Sequence, residues 1–294
     1  MKILITGGLG FVGSQLSNHY YKNEHDVTII TKSLDKISNI RNCPKIKILK
    51  KDIRLIDDDC KGYDLIFHLA STVHNYHILD DPYIDVDINC NGTIRLLESC
   101  RQFNPSVRMI YVSSFFVNNG KPKALYGATK LCAEYICKIY NKVFGLNISI
   151  ARLSNVFGPG EQKNNNKKAA FNRMIQLAIE DKEIKLYNNG NIDRDYIYID
   201  DVVSALEIIA DKGEESEVYE VGKGKSLNFK YMVDTIIKES GSGKIVSIEP
   251  PEFHKQVGID DYYCNVDKLK DLGWEPKYTV EEGIRKTIEA YRNE

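Results

Sequence analysis

Lys2-Ile3-Leu4-Ile5-Thr6-Gly7-Gly8-Leu9-Gly10-Phe11-Val12-Gly13-Ser14-Gln15-Leu16 is the stretch that decides how this chain folds. Ile3, Leu4 and Ile5 form a short continuous apolar run, as a buried strand does. Spaced glycines follow, and then Phe11, Val12 and Leu16 at helical spacing. Read as strand, tight turn and helix, the glycines take separate tasks. Gly7 lets the chain turn, Gly10 lets the backbone approach a pyrophosphate, and Gly13 lets the helix pack closely on the strand. The amides and positive dipole end of the new helix then face the phosphates. A lone glycine pattern also occurs in ordinary loops; the strand–turn–helix context makes dinucleotide binding the better reading.

Around this stretch the chain alternates. Apolar runs at 2–6, 26–30, 46–50, 64–68, 107–112 and 147–151 read as strands, and 11–23, 82–103 and 125–144 carry helical periodicity. Such alternation predicts an α/β fold: a Rossmann-type, doubly wound parallel sheet with helices on both faces. From Gly158-Pro159-Gly160 the rhythm changes, with short strands near 184–187, 196–199 and 218–221 and helices near 168–181, 201–211, 229–239 and 279–292. Residues 1–157 are thus expected to form a dinucleotide-binding domain, and 158–294 a smaller C-terminal α/β substrate lobe built onto its sheet. The polar run Lys163–Lys168 reads as a solvated loop.

A length of 294 residues suits one large domain or two small ones, and a net charge of -1 gives no electrostatic reason to expect nucleic acid or an anionic membrane as partner. No apolar run approaches the ~20 residues of a membrane span. The first strand begins at Lys2, so no signal peptide is expected before it. The cysteines, seven in number, are scattered and lack the close pairing of a zinc site, so reduced thiols of a cytoplasmic protein and no metal centre are expected.

Chemistry is signalled by Tyr126-Gly127-Ala128-Thr129-Lys130, which opens the helix 125–144. Residues four apart share a helical face, so the Lys130 ammonium is expected beneath the Tyr126 hydroxyl. There it would lower the tyrosine pKa toward working pH and make an acid/base of it. Tyr219 and Lys223 have the same spacing, but read as a strand end and a glycine turn. Tyr111-Val112-Ser113-Ser114 is an apolar strand ending in two hydroxyls at the carboxyl edge of the sheet, where doubly wound folds bind ligands. Helix or turn capping is the plain alternative for these serines.

Further motifs fall in order: Asp52-Ile53, His68-Leu69-Ala70, Asn89-Cys90-Asn91-Gly92-Thr93, and Arg152 with Asn155-Val156-Phe157-Gly158-Pro159. Arg194-Asp195-Tyr196-Ile197-Tyr198-Ile199-Asp200-Asp201-Val202, Tyr219-Glu220-Val221-Gly222 and Leu272-Gly273-Trp274-Glu275-Pro276 follow. Over nearly its whole length the chain thereby resembles the extended short-chain dehydrogenase/reductases, in particular their NAD(P)-dependent nucleotide-sugar epimerase/dehydratase family. The resemblance implies that Ser114 and Tyr126 hydrogen-bond the reacting sugar oxygen, that Tyr126 moves its proton, and that Lys130 binds the nicotinamide ribose. It places the cofactor along Gly7, Gly10, Phe11, Val12, Gly13, Thr31, Lys32, Asp52, Ile53, Leu69, Ala70, Ser71, Tyr126 and Lys130, with Asp52 and Ile53 at the adenine. Asn155 and Arg194 would grip the substrate's nucleotide diphosphate; the alternative for Arg194 is an ion pair with Asp195 or Asp200. Asn89 is expected to support the active-site backbone or simply to pack a helix, and His68 to be a core histidine.

The departures from the family pattern also carry information. NAD-binding relatives usually end the second strand with Asp, whereas here Thr31-Lys32-Ser33 stands there. Lys32 then either meets the 2′-phosphate of NADP or faces solvent, and with the missing acidic residue it leans the expected cofactor toward NADP. Relatives that are 4,6-dehydratases follow the active-site hydroxyl residue with Asp-Glu, and this chain has Phe115-Phe116, which cannot move those protons. Val117-Asn118-Asn119-Gly120 replaces a common Val-Tyr-Gly, and where a second phosphate-binding arginine is usual only His254 and Lys255 are found. The implied function is a nucleotide-sugar 4-epimerase working through a 4-keto intermediate with NAD or NADP. The alternatives are an NADPH-dependent 4-keto-sugar reductase and a non-catalytic NAD(P)-sensing protein, the last disfavoured by intact Ser114, Tyr126 and Lys130. The family also suggests a homodimer through the helices near 82–103 and 125–144.

Overall fold

The computed structural model describes residues 1–73, 75, 77–161, 170–257 and 261–293. Seven strands form one parallel sheet in the order β3-β2-β1-β4-β5-β6-β11. They are β1 (Lys2–Thr6), β2 (Asp26–Thr31), β3 (Lys47–Lys50), β4 (Leu65–His68), β5 (Arg108–Ser114), β6 (Asn147–Leu153) and β11 (Val218–Val221). The β1 run is apolar throughout because both faces are covered. Ile3 and Ile5 enter one core with Leu16, Tyr20, Phe67 and Ile110, while Leu4 enters the other with Ile66, Leu96, Tyr111 and Ile148. Thr6 lies in register with His68 across β1 and β4. Chain order reverses between these two strands, so the crevice at their carboxyl ends is the ligand-binding position of such a sheet.

The helices are α1 (Phe11–Lys22), α2 (His77–Asp80), α3 (Tyr83–Asp85), α4 (Gly92–Phe103), α5 (Leu125–Phe144), α6 (Ala170–Ile179), α7 (Ile199–Lys212), α8 (Phe229–Ser240), α9 (Glu252–Val257), α10 (Asp267–Asp271) and α11 (Val280–Arg292). The remaining strands are short pairs: β7 (Asn155–Phe157) with β10 (Tyr196–Tyr198), β8 (Glu183–Tyr187) with β13 (Lys244–Ile248), and β9 (Asp193–Arg194) with β12 (Leu227–Asn228). Helix α11 is stopped at its start by a reciprocal capping box between Thr279 and Glu282.

Two local expectations are corrected. Residues 82–103, expected as one helix, divide into α3, a π-helical turn at Val86–Asn91 and α4. The wider turn carries Asn89, whose buried amide is fully engaged with neighbouring elements, and such bulges recur where a side chain must be aimed. The strand near 218–221, expected in the C-terminal lobe, is β11 and extends the main sheet beside β6. Strand pairing over such a sequence distance leaves no local trace. The polar run 163–168 lies outside the described residues.

Candidate active site

The glycine loop follows from backbone geometry. Gly7 has φ +69°, and a Cβ there would stand 2.8 Å from the Ala70 amide nitrogen. A Cβ on Gly13 would stand 2.4 Å from the Gly7 carbonyl oxygen, so any side chain would push α1 off the turn. Gly10 is the N-cap of α1 and no side chain caps the helix there. The start of α1 is therefore a cradle of helix amides beneath a glycine loop whose one side chain, Leu9, is buried in the core, and a dinucleotide pyrophosphate fits it. Phe11 and Val12, the first residues of α1, pack partly buried against the core. Leu69 and Ala70 follow β4 directly; the Leu69 amide donates to the Thr6 carbonyl at 3.1 Å and the Ala70 amide to the Thr6 hydroxyl at 3.2 Å.

At the carboxyl end of β2, Thr31 closes the strand and its hydroxyl donates to the Ser33 carbonyl at 2.9 Å. Asp52 receives a two-pronged contact from Arg54, at 3.0 and 2.8 Å, which holds its carboxyl down at about 2. Lys32, its side chain 65% exposed, approaches the same carboxylate at 3.8 Å. Ile53 is buried, packed under Gly92 of α4.

Ser114 from β5 and Tyr126 from α5 come together, with Lys130 further along the same helix. Tyr126 sits in the first turn of α5, with Lys130 one turn on. Ser114 and Ser71 stand close enough to the phenol to favour its ionised form. Loss of hydration outweighs them, and the phenol is pushed up to about 12, with Asp85 adding to the rise. The expectation that Lys130 lowers this pKa is thus corrected. Its ammonium donates to the Val112 carbonyl at 2.6 Å and lies 4.4 Å from the centre of the Tyr111 ring. Burial pulls Lys130 itself down to about 8. Ser114 does serve as a cap, accepting the Phe116 amide at 3.3 Å, so the capping alternative and the meeting with Tyr126 hold together.

Phe115 is buried against Tyr262, and the Phe116 ring meets Tyr126 edge-on at 5.7 Å. An apolar wall therefore flanks the phenol. Asn89 accepts from the Ser71 hydroxyl and the Thr72 amide at 2.9 and 3.0 Å, and donates to the Thr72 and Thr129 hydroxyls at 2.8 and 2.9 Å. It joins the loop after β4 to the helix bearing Tyr126, a supporting role. His68 is buried between Thr6 and Thr93 and held far below its usual pKa, at about 3, by burial, as a core histidine is. Tyr219 points elsewhere: its oxygen accepts the Glu214 amide at 2.9 Å, while Lys223 donates to the Tyr278 carbonyl.

Asn155 and Arg194 lie outside the main sheet, on β7 and β9. Asn155 donates to the Asp195 carbonyl at 2.9 Å, and Arg194 donates to the Asp193 carbonyl at 3.0 Å. Asp195 is fully buried and accepts the amides of Lys223, Gly224 and Cys264, so it serves as a loop clamp. Sequence inspection missed Glu134, which meets Arg152 and Ser113 behind Lys130. The available signal was its position one helical turn beyond Lys130.

A glycine-cradled helix start, a parallel sheet of this order and a Tyr–Lys pair on the helix after β5 define an extended short-chain dehydrogenase/reductase. The chain belongs to the NAD dependent epimerase/dehydratase family, whose model matches residues 3–222. It is 27% identical over 319 residues to the UDP-glucose 4-epimerase of Mycolicibacterium smegmatis, an alignment covering 100% of this chain and 99% of that one. The UDP-glucuronic acid 4-epimerase of Bacillus cereus, solved with UDP-glucuronic acid and NAD, superposes with a TM-score of 0.89 at 25% identity, covering 100% of this chain and 99% of that chain. The UDP-glucose 4-epimerase of Thermotoga maritima, solved with UDP-glucose, shares the fold with a TM-score of 0.90 at 24% identity over 100% and 99% of the two chains. No helix among the described residues is long and apolar enough to cross a membrane.

Proposed function

We propose that this chain is an NAD-dependent nucleotide-sugar 4-epimerase of the cytoplasm, with residues 1–157, whose sheet is completed by β11, holding the cofactor and the rest of 158–294 the nucleotide. The observation that carries the reading is Tyr126 standing beside Ser114 at the carboxyl end of β5, with Lys130 one turn further along α5, on the sheet edge where the uncapped α1 also begins. In this reading Ser114 hydrogen-bonds the sugar O4, and Tyr126 takes the proton from that oxygen and later returns it. Lys130 holds the ribose hydroxyls and keeps a positive charge behind the phenol. When bound, the dinucleotide supplies the acceptance and return of hydride at C4 and, in its oxidised form, a charge that favours phenolate. Asn155 and Arg194 anchor the diphosphate, which leaves the 4-keto sugar free to turn its other face before hydride returns. Phe115 and Phe116 add no proton donor or base beside Tyr126, which separates this site from a 4,6-dehydratase.

Lys32 is the observation that favours a second reading, an NADPH-dependent 4-keto-sugar reductase, since no carboxylate ends β2. Asp52 already answers part of the Lys32 charge, and the family is NAD-dependent, so NAD is the cofactor proposed. The test is to release the dinucleotide from the purified protein for mass measurement, and to incubate the protein with UDP-glucose, UDP-N-acetylglucosamine and UDP-glucuronic acid. The expected result is released NAD and interconversion of at least one 4-epimer pair without net cofactor oxidation. Released NADP, with NADPH consumed on a 4-keto sugar, selects the reductase instead.

The proposed assembly is a homodimer through α4 and α5. Tyr135, Ile139 and Val143 recur every fourth residue along α5 and are exposed, with Phe103 of α4 exposed as well. An apolar stripe of this kind marks an interaction face. Sedimentation at about twice the 33.6 kDa chain mass is expected, and a monomer at micromolar concentration contradicts it.

A further inference from the structure

Behind the proposed site lies a group of charged side chains that the reading above leaves without a task. Arg152 of β6 grips Glu134 of α5 with two parallel contacts, Nε to Oε1 at 2.9 Å and Nη2 to Oε2 at 2.6 Å. The Glu134 side chain is 2% exposed. The Ser113 hydroxyl donates to the same Oε1 at 2.6 Å. Arg152 also faces Glu220, its register neighbour on β11, at 3.8 Å, and Glu220 accepts the Asn265 amide at 2.7 Å.

Well-packed apolar residues usually fill a core as well as a buried ion pair does, or better. What the pair touches gives a stronger reason for its presence. Tyr126, Lys130 and Glu134 follow one another at single-turn spacing on one face of α5. Ser113 is the immediate neighbour of Ser114, and Val112 just before it supplies the carbonyl that receives the Lys130 ammonium. The Glu134 carboxylate thus joins helix to strand next to the residue before Ser114 and one helical turn beyond Lys130, on the face that carries Tyr126.

We propose that Glu134, held by Arg152 and Ser113, is a positioning residue that fixes the Tyr126–Lys130 face of α5 against the ends of β5 and β6. This rests on the catalytic reading of Ser114, Tyr126 and Lys130 given above. A carboxylate is required there on two counts. Two acceptor oxygens match the planar fork of Arg152, which one amide oxygen cannot do. Its charge also offsets the dehydration of Lys130, on which it is the largest opposing influence. The other groups facing Lys130 are Cys137 on the same helix, Cys90 from the π-helical turn, His68 from β4 and the Tyr111 ring from β5. Burial keeps both thiols protonated and His68 neutral, so Glu134 is the charged member of this set.

The test reads Lys130 directly, by NMR titration of ¹³Cε-labelled lysine in the purified protein, with Lys130→Met to assign the signal. Glu134→Gln should move the Lys130 titration to lower pH by roughly 1 unit, because a favourable negative charge is lost. The alkaline limb of turnover should move the same way, with kcat falling about 10–100-fold while KM changes little. Arg152→Gln should move the Lys130 titration in the opposite direction, since it leaves the carboxylate unscreened. Glu134→Asp, which keeps the charge, should restore the titration toward wild type and part of kcat. Either single variant that breaks the pair is liable to unfold, so Glu134→Gln/Arg152→Met, which removes both charges, carries the same expectation of a lowered titration and lowered kcat. An unchanged Lys130 titration in folded Glu134→Gln or in the double variant, with wild-type kcat, overturns the proposal. The titration needs no turnover, so a wild-type protein that fails to epimerise any sugar refutes the function and still leaves the Lys130 result readable.

Discussion

Tyr126→Phe is expected to fold, keep its cofactor and lose roughly 10²–10⁴-fold of turnover, the usual worth of a placed acid/base. The change removes one oxygen and keeps the ring, so the edge-on contact with Phe116 survives. The lost oxygen is the one that the Ser114 and Ser71 hydroxyls address. Tyr219→Phe is the control and should show the reverse pattern. Its oxygen accepts the Glu214 amide in the interior, so the variant loses stability, by about 1–3 kcal/mol, and keeps its turnover. Steady-state kinetics and thermal unfolding of both variants decide the matter. Equal losses of turnover would remove the reason for placing the chemistry on α5.

Arg194→Ala should weaken both the nucleotide-sugar substrate and the bare nucleoside diphosphate. Much of the binding free energy of such a ligand lies in the nucleotide, away from the bond that changes, and a 4-epimerase needs that anchor while the sugar turns. A guanidinium–phosphate contact is worth ~1.5–3 kcal/mol, on the order of 10–100-fold in affinity. Cofactor affinity should hardly move, because Arg194 belongs to β9 and the cofactor cradle to β1 and α1. Calorimetric titration of wild type and variant with UDP, GDP, CDP and dTDP, and then with NAD, measures this. Binding of none of the four nucleotides to wild type would refute the nucleotide-sugar reading.

What was legible in the sequence was local. The β1–α1 unit could be read from one apolar run and three glycines, because Gly7 needs a positive φ and Gly13 tolerates no side chain. The Tyr126–Lys130 face could be read because helical periodicity alone aligns residues four apart. Membership of β11 in the main sheet was hidden, since it depends on pairing with β6 some seventy residues earlier in the chain. The π-helical turn at Val86–Asn91 was hidden in an otherwise helical pattern, because the partners of its Asn89, Thr72 and Thr129, lie far off in the chain. The Tyr126 pKa differs from the expectation for a physical reason: spacing reveals neither the dehydration of the phenol nor that the Lys130 ammonium is engaged by the Val112 carbonyl and the Tyr111 ring. Glu134 and Arg152 meet through folding across a helix–strand contact, and no spacing rule pairs them.

The central claim is that hydride leaves C4 and returns to the same carbon within one active site. The most direct measurement uses a nucleotide sugar deuterated at C4, incubated with the enzyme in ordinary water and followed by NMR and mass. Interconversion with deuterium retained at C4 of the epimer is the predicted result. Loss of the label to solvent, or its appearance in released reduced cofactor without an epimer, would contradict the account.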